Sequence, residues 1–299
     1  MSTTQTIQPS SLKAWLLASR PKTLAAAVIP VLVGTAVAVA EGTFAAPAAL
    51  AALVGASLIQ IGTNFANDYF DAKSGADNED RLGPTRVVQA GLIEPSAVKT
   101  ATFVTFAAAA LVGVYLIWVG GWPILAIGVA SILSGLAYTG GPYPLGYNGL
   151  GDVFVFIFFG LIAVTATHYV QALEWSTTAL VASIPIGLLS TAILIVNNYR
   201  DVDTDRVAGK RTLAVRLGRP ATRWHYALTV IGAYAVPVIQ WAALGADAWI
   251  LLPLLTLPLG LKRIVDMWKK TGKELNPVLA GTAQVLALFG ILYAVGIVL

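Results

Sequence analysis

Apolar runs of about twenty residues recur nine times along this chain, each close to the length a helix needs to cross roughly 30 Å of hydrocarbon. They occupy approximately residues 23–40, 46–68, 97–119, 122–139, 152–171, 177–198, 224–244, 248–265 and 277–298. The pattern predicts an all-α, polytopic membrane protein of nine transmembrane helices. Composition agrees, since only 11% of the 299 residues are charged and mean hydropathy is +0.75, whereas a soluble domain is about a quarter charged.

Charge orients these helices. With the N-terminus inside, the inner segments are 1–22, 69–96, 140–151, 199–223 and 266–276, and all 19 Lys and Arg lie in them or within about four residues of their ends. The outer connections carry Glu41, Glu174 and Asp247 instead. This predicts a multi-pass protein of the inner (cytoplasmic) membrane, with its N-terminus cytoplasmic and its C-terminus outside.

The basic balance, formally +4, therefore reports topology and not nucleic-acid binding, because there is too little polar surface to build a basic face. Cysteine is absent, which excludes disulfides, thiolate metal sites and cysteine nucleophiles. Residues 1–22 read as a polar tail and a short interfacial helix, with Trp15 and Leu16 turned to lipid and Arg20 and Lys22 to head groups. They do not read as a signal peptide, because the basic residues lie about twenty positions in. Residues 23–299 read as a single transmembrane domain.

Two charged stretches stand out at inner helix ends: residues 64–86, NFANDYFDAKSGADNEDRLGPTR, and residues 197–211, NNYRDVDTDRVAGKR. Their likeness hints at a duplicated pair of bundles facing one cavity. In a helix, Asn64, Asp68 and Asp71 fall within about 40° of arc, and Asn197, Asp201 and Asp205 recur at four-residue steps. The two faces can meet. Converging carboxylates at a membrane edge demand a counter-charge, since like charges raise one another's pKa and lipid solvates ions poorly. A divalent ion with a bound polyphosphate meets that demand, and an oxygen-only donor set favours Mg²⁺. Lys73, Arg81, Arg86, Arg200, Lys210 and Arg211 would grip phosphate oxygens. Asn64 and Asn197 complete the candidate metal and diphosphate ligands.

A diphosphate that also needs a lipid-embedded cavity points to an isoprenyl diphosphate. Ionisation of its allylic C–O bond leaves a cation that must be kept from water. Tyr69, Tyr138, Tyr143 and Tyr199 are candidates to stabilise that cation by position. A Gly- and Pro-rich stretch, residues 138–152, YTGGPYPLGYNGLGD, forms a tight inner loop.

The chain resembles the intramembrane aromatic prenyltransferases of the UbiA superfamily, whose two Asp-rich motifs end the second and sixth helices. Asn64, Asn67, Asp68 and Asp71 match the first motif; Asn197, Asp201 and Asp205 match the second. Residues 15–34, 62–77, 138–152 and 197–218 are most similar to the naphthoate-prenylating branch of the menaquinone pathway. The resemblance implies a helical bundle around a central cavity, a polyisoprenyl diphosphate donor and Mg²⁺. For that branch it further implies attack by a 1,4-dihydroxy-2-naphthoate ring carbon, with loss of CO₂ and diphosphate, giving demethylmenaquinone. Asp71 and Asp205 are candidates for receiving the phenolic proton, and Arg20 and Lys22 for contacting the acceptor carboxylate. Position 72 is Ala, which departs from the family's evenly spaced aspartates. Other acceptors, 4-hydroxybenzoate, homogentisate or a chlorophyllide, stay open, as does an ion-coupled transporter with two acidic half-sites. A transporter would place its ligand groups near the midplane, however, and these motifs lie at one edge.

Overall fold

A computed structural model describes residues 8–75 and 82–299, with the side chain of Lys22 outside the described set. The described residues contain helices and no strand. Helix α1 (Leu12–Ser19) is capped by the Ser11 side chain and leads through a 3-10 turn, Pro21–Thr23, into α2 (Ala25–Ala40). Next come α3 (Ala46–Lys73), α4 (Pro95–Gly120) and α5 (Trp122–Ala137). The following stretch is composite: α6 (Gly151–Val155), a π-helical segment Phe156–Ile162, and α7 (Ala163–Ala172). The chain continues with α8 (Thr177–Arg200), short α9 (Val202–Val207) and long α10 (Leu213–Ala243). A 3-10 segment Ala248–Thr256 then enters α11 (Leu257–Lys269), and α12 (Asn276–Val298) ends the fold.

Seven helical stretches are long and apolar enough to cross a membrane by length and composition: α3, α4, Gly151–Ala172, α8, α10, Ala248–Lys269 and Gly272–Val298. The expected first and fourth spans correspond to the shorter apolar helices α2 and α5. Each has 16 residues, roughly 24 Å at 1.5 Å per residue. The inner segment before the seventh span is also more helical than its charge suggested. It holds α9 and the start of α10, which kinks at Gly218, where φ is 74°.

Helix α8 is the most deeply set span. It packs against α2, α10, α12 and the π-helical segment. A Cβ added at Gly160 would fall 2.4 Å from the Gly187 Cα, so these two backbones approach closer than any side chain permits. Small residues allow such contacts, which in lipid replace the missing hydrophobic drive between helices. The rigid α8 carries the second acidic motif at its end.

A separate cluster supports the first motif. Ala14 and Ala18 of α1, Phe65 of α3, Val87, Ile93 and Val98 pack together, and Trp15 meets Phe65 edge-to-face at 5.7 Å. Trp15 is therefore directed at protein, while Leu12 and Leu16 are the exposed large apolar side chains of α1. The reason is local: alanines four residues apart leave a flat stripe on α1 that fits against α3.

Candidate active site

On α3, Asn64, Asp68 and Asp71 are all nearly inaccessible, at 4%, 1% and 2% exposure. Asn64 donates to the Ser19 carbonyl and to Thr23 Oγ1, tying α3 to the turn between α1 and α2. Asp68 accepts from the Val87 and Val88 amides, both at 3.1 Å, and so fixes the returning loop over the helix end. Asp71 Oδ2 lies 2.6 Å from Arg86 Nη2; its Oδ1 accepts from the Tyr147 hydroxyl and lies 3.5 Å from Lys210 Nζ. An unpaired carboxylate so deeply buried would cost several kcal/mol. Here cations and a hydroxyl surround it.

The second motif is built at the junction of α8 and α9. Arg200, fully buried, grips Asp201 through Nε at 2.8 Å and Nη2 at 2.6 Å. The same guanidinium donates to Asn197 Oδ1 and to Asn276 Oδ1, and Asn276 Nδ2 donates to the Leu82 carbonyl. Asn276, the first residue of α12, thus ties the second motif to the loop that follows the first. One turn on, Asp205 Oδ1 lies 3.9 Å from Lys210 Nζ. The Lys210 ammonium stands between Asp71 and Asp205, so both motifs face one space.

The Gly- and Pro-rich loop closes that space. The Arg211 amide donates to the Tyr147 carbonyl at 2.7 Å, and Arg216 Nη2 donates to the Asn148 carbonyl at 2.8 Å. Gly149 permits the clamp. Its φ is 78°, and a Cβ there would lie 3.0 Å from Arg216 Nε. Lys210 Nζ sits 4.5 Å from the Tyr147 ring centroid, a cation–π contact that holds the ammonium toward the acids.

Of the residues singled out by sequence, Asp71, Arg86, Asp205 and Lys210 form one cluster and Asn197 and Asp201 gather around Arg200, while Asn64 and Asp68 bind the turn after α1 and the returning loop. Arg211 joins the first cluster through its backbone, with its side chain exposed. Arg20 caps α1 beside the Asn64 contacts. Tyr138 lies between Gly146 and Gly151 at the cavity described below. Others are elsewhere. Tyr69 and Lys73 point to the opposite side of α3, where they line a separate crevice. Tyr199 is buried against α10, accepting from Arg223 Nε at 2.8 Å, and Tyr143 is 58% exposed. Arg81 and the Lys22 side chain lie outside the described residues. Sequence reasoning missed Tyr147, Thr23 and Asn276. A signal existed for Tyr147, since it sits in the same loop as Tyr143.

Behind the acids lies an apolar cavity of about 290 Å³. Gln60, Thr63 and Tyr138 mark its end nearest the motifs, and Ile124 and Val170 lie among its distant lining. Gln60 shares the Thr23 hydroxyl with Asn64, which links the cavity wall to the first motif.

The donors gathered here are carboxylate and amide oxygens, a hard set that fits Mg²⁺. Among the described residues no three His, Cys, Asp or Glu side chains lie close enough to cage an ion by themselves. Mg²⁺ commonly takes only one or two protein carboxylates and completes its shell with phosphate oxygens and water. The facing pair Asp71 and Asp205 suits that mode.

Comparison with known proteins adds to this geometry. The model of the UbiA prenyltransferase family matches residues 27–285. The chain is 37% identical to "1,4-dihydroxy-2-naphthoate octaprenyltransferase" of Escherichia coli (strain K12), covering 98% of this chain and 97% of that one. It is 38% identical to a protein of the same name from Mycobacterium tuberculosis, covering 95% and 97%. A UbiA homolog from Archaeoglobus fulgidus, solved bound to GPP and Mg²⁺, superposes with a TM-score of 0.65 at 14% identity, over 95% of this chain and 99% of that one. A UbiA homolog from Aeropyrum pernix K1 gives 0.67 at 16% identity, over 88% and 96%. At these identities the two structures speak for the shared fold alone.

Proposed function

The chain belongs to the UbiA prenyltransferase family, and from that premise we propose that it transfers a polyisoprenyl group from its diphosphate to 1,4-dihydroxy-2-naphthoate, releasing diphosphate and CO₂. The observation that carries this reading is Lys210, whose ammonium is shared by Asp71 of the first motif and Asp205 of the second. Two acidic helix ends joined by one cation, beside an apolar cavity, suit an amphiphile with an anionic head. The names of the relatives, which cover nearly the whole chain, support the naphthoate as acceptor.

In this reading the diphosphate enters between the motifs and draws Lys210 and Arg86 from carboxylate to phosphate oxygens. Asp71 and Asp205 would hold Mg²⁺, which when bound supplies positive charge against the departing diphosphate, while Asp68, Asp201, Asn64 and Asn197 fix the helix ends and loop around them. Lys210 and Arg86 stabilise the same charge as the allylic C–O bond breaks and its electron pair leaves with diphosphate. The isoprenyl tail lies in the apolar cavity, where Tyr138 presents its ring toward the reacting end, and the dry wall keeps water from the cation. The naphthoate carbon bearing the carboxylate then supplies the electron pair of the new C–C bond. Loss of CO₂ returns a pair to the ring and restores aromaticity. The product is the prenylated naphthalenediol, the reduced form of demethylmenaquinone. The Asp71 and Tyr147 pair takes up the phenolic proton as the ring carbon attacks and returns it to the same oxygen as CO₂ leaves, so the diol forms with no net proton change.

The protein is a multi-pass membrane enzyme. We place it in the inner membrane with its N-terminus and its acidic motifs cytoplasmic, because its basic residues gather at that side. Residues 23–299 act as one transmembrane unit.

A test is to offer membranes containing the protein farnesyl or geranylgeranyl diphosphate with either 1,4-dihydroxy-2-naphthoate or 4-hydroxybenzoate, and to follow diphosphate, CO₂ and prenylated product. Naphthoate should give all three in equal amounts, in a reaction stopped by chelation. Product from the benzoate alone would overturn the acceptor assignment.

A further inference from the structure

On the side of α3 turned away from the acidic motifs, a crevice of about 150 Å³ opens between α3, α4 and α5. Its walls are Tyr69, Phe70, Phe103 and Leu136, and Lys73 and Lys99 belong to its lining. Phe103 is 57% exposed, and both lysines are exposed. Phe106 of α4 is buried against Gly62 of α3 and Gly135 of α5, and Gly135 belongs to the lining of the apolar cavity of the active site. Nothing in the prenyl-transfer site uses the crevice.

Two features make it more than a gap. First, the lysines stand at matched depth: Lys73 ends α3, and Lys99 lies in the opening turns of α4. Neither is paired with a carboxylate among the described residues. Second, the walls between them are aromatic and aliphatic, with Tyr69 and Phe70 braced edge-to-face at 5.2 Å. A pair of ammonium groups above an apolar slot, at the level where helices leave the hydrocarbon, complements a ligand with an anionic head and an apolar chain. Lysines at that level attract acidic lipid, and their long stems lie along apolar surface while the charge stays at the interface.

We propose that this crevice is a binding site for an anionic phospholipid, its phosphate held between Lys73 and Lys99 and one acyl chain laid against Phe103 and Leu136. The occupant is a bilayer lipid and not the prenyl donor, because the crevice is cut off from the acidic motifs by α3 itself. The site seats a lipid against the helix that carries Asp68 and Asp71.

The experiment is to hold the full-length protein in nanodiscs of equimolar phosphatidylglycerol and phosphatidylcholine, then release it and read the retained lipid by native mass spectrometry. Wild-type protein should retain phosphatidylglycerol selectively. The double variant Lys73→Gln/Lys99→Gln should lose about 30-fold of that preference, a factor of about five for each lysine at an anionic surface. Lys269→Gln/Lys273→Gln, which removes two lysines from another basic segment, should retain it. Phe103→Ala should weaken retention of long-chain phosphatidylglycerol while leaving the charges in place. Equal losses from the two lysine pairs would reduce the effect to general surface charge and overturn the site. Undiminished selectivity in Lys73→Gln/Lys99→Gln would overturn it as well. Displacement of the lipid by farnesyl diphosphate, or by inorganic phosphate alone, would overturn the assignment of the occupant.

Discussion

The Lys210 ammonium lies 3.5 Å from the Asp71 carboxylate, joining the end of the second motif to the last acid of the first across 139 residues of chain. The side chains are 12% and 3% exposed, so this contact is made with little help from water. Neutralising Lys210 as Lys210→Gln should lower turnover by about 100-fold or more, the scale of losing one preorganised charge contact in a reaction that releases diphosphate. Steady-state kinetics should show the donor KM rising as well. Unchanged kinetics would remove Lys210 from the site.

Tyr147 offers a separable contribution. Tyr147→Phe keeps the ring beneath Lys210 but removes the hydroxyl that donates to Asp71 and contacts Ser74. A hydrogen bond to a charged group contributes about 1.5–3 kcal/mol. The variant should remain folded in detergent and lose roughly 10- to 100-fold in kcat. A thermal melt alongside the assay separates a weakened site from a weakened fold.

Asn276 joins Arg200 to the Leu82 carbonyl. Asn276→Ala leaves a fully buried guanidinium short of one acceptor, at a cost of about 1–3 kcal/mol. Thermal unfolding should fall accordingly, and Asn276→Asp should recover part of the stability by restoring the acceptor. If both variants melt like wild type, the network has no structural weight.

At the opposite end of the bundle, Glu41 binds His168 Nε2 at 2.6 Å and Ser176 Oγ at 2.7 Å. Burial raises the Glu41 pKa, but the hydrogen bonds from Ser176 and His168 outweigh it, and the carboxyl sits below its ordinary value of 4.5. A group lowered on folding stabilises the native state above its unfolded pKa, and that stability is lost as pH falls through the folded value. Glu41→Gln removes that contribution, so thermal unfolding followed by circular dichroism should show the variant less stable than wild type near neutrality, with the difference shrinking as pH falls through the folded Glu41 value.

The places where sequence and structure agree have a physical pattern. Hydropathy located seven stretches long enough to cross a membrane and the two shorter apolar helices α2 and α5, because lipid demands a long apolar run of any segment that crosses it. Helical periodicity placed Asn64, Asp68 and Asp71 on one face, and the structure buries all three together. The same periodicity puts Tyr69 and Lys73 on the far side of α3. Their nearness in sequence to the acids did not translate into nearness in space. Tyr147 could not be told from Tyr143 because a Gly- and Pro-rich loop has no period to say which side chain turns inward. Asn276 was illegible for another reason: a lone asparagine opening an apolar helix has no motif around it, and its partners are 76 and 194 residues away.

The account turns on one head group being held by both motifs at once. Binding of farnesyl diphosphate, without acceptor and in the presence of Mg²⁺, should be measured for wild type, Asp71→Asn, Asp205→Asn and the double variant. Each single change should weaken binding by about tenfold or more, and the double-mutant cycle should show coupling of about 0.5–3 kcal/mol. Full affinity in either single variant, or strict additivity of the two, would contradict a shared grip on the diphosphate.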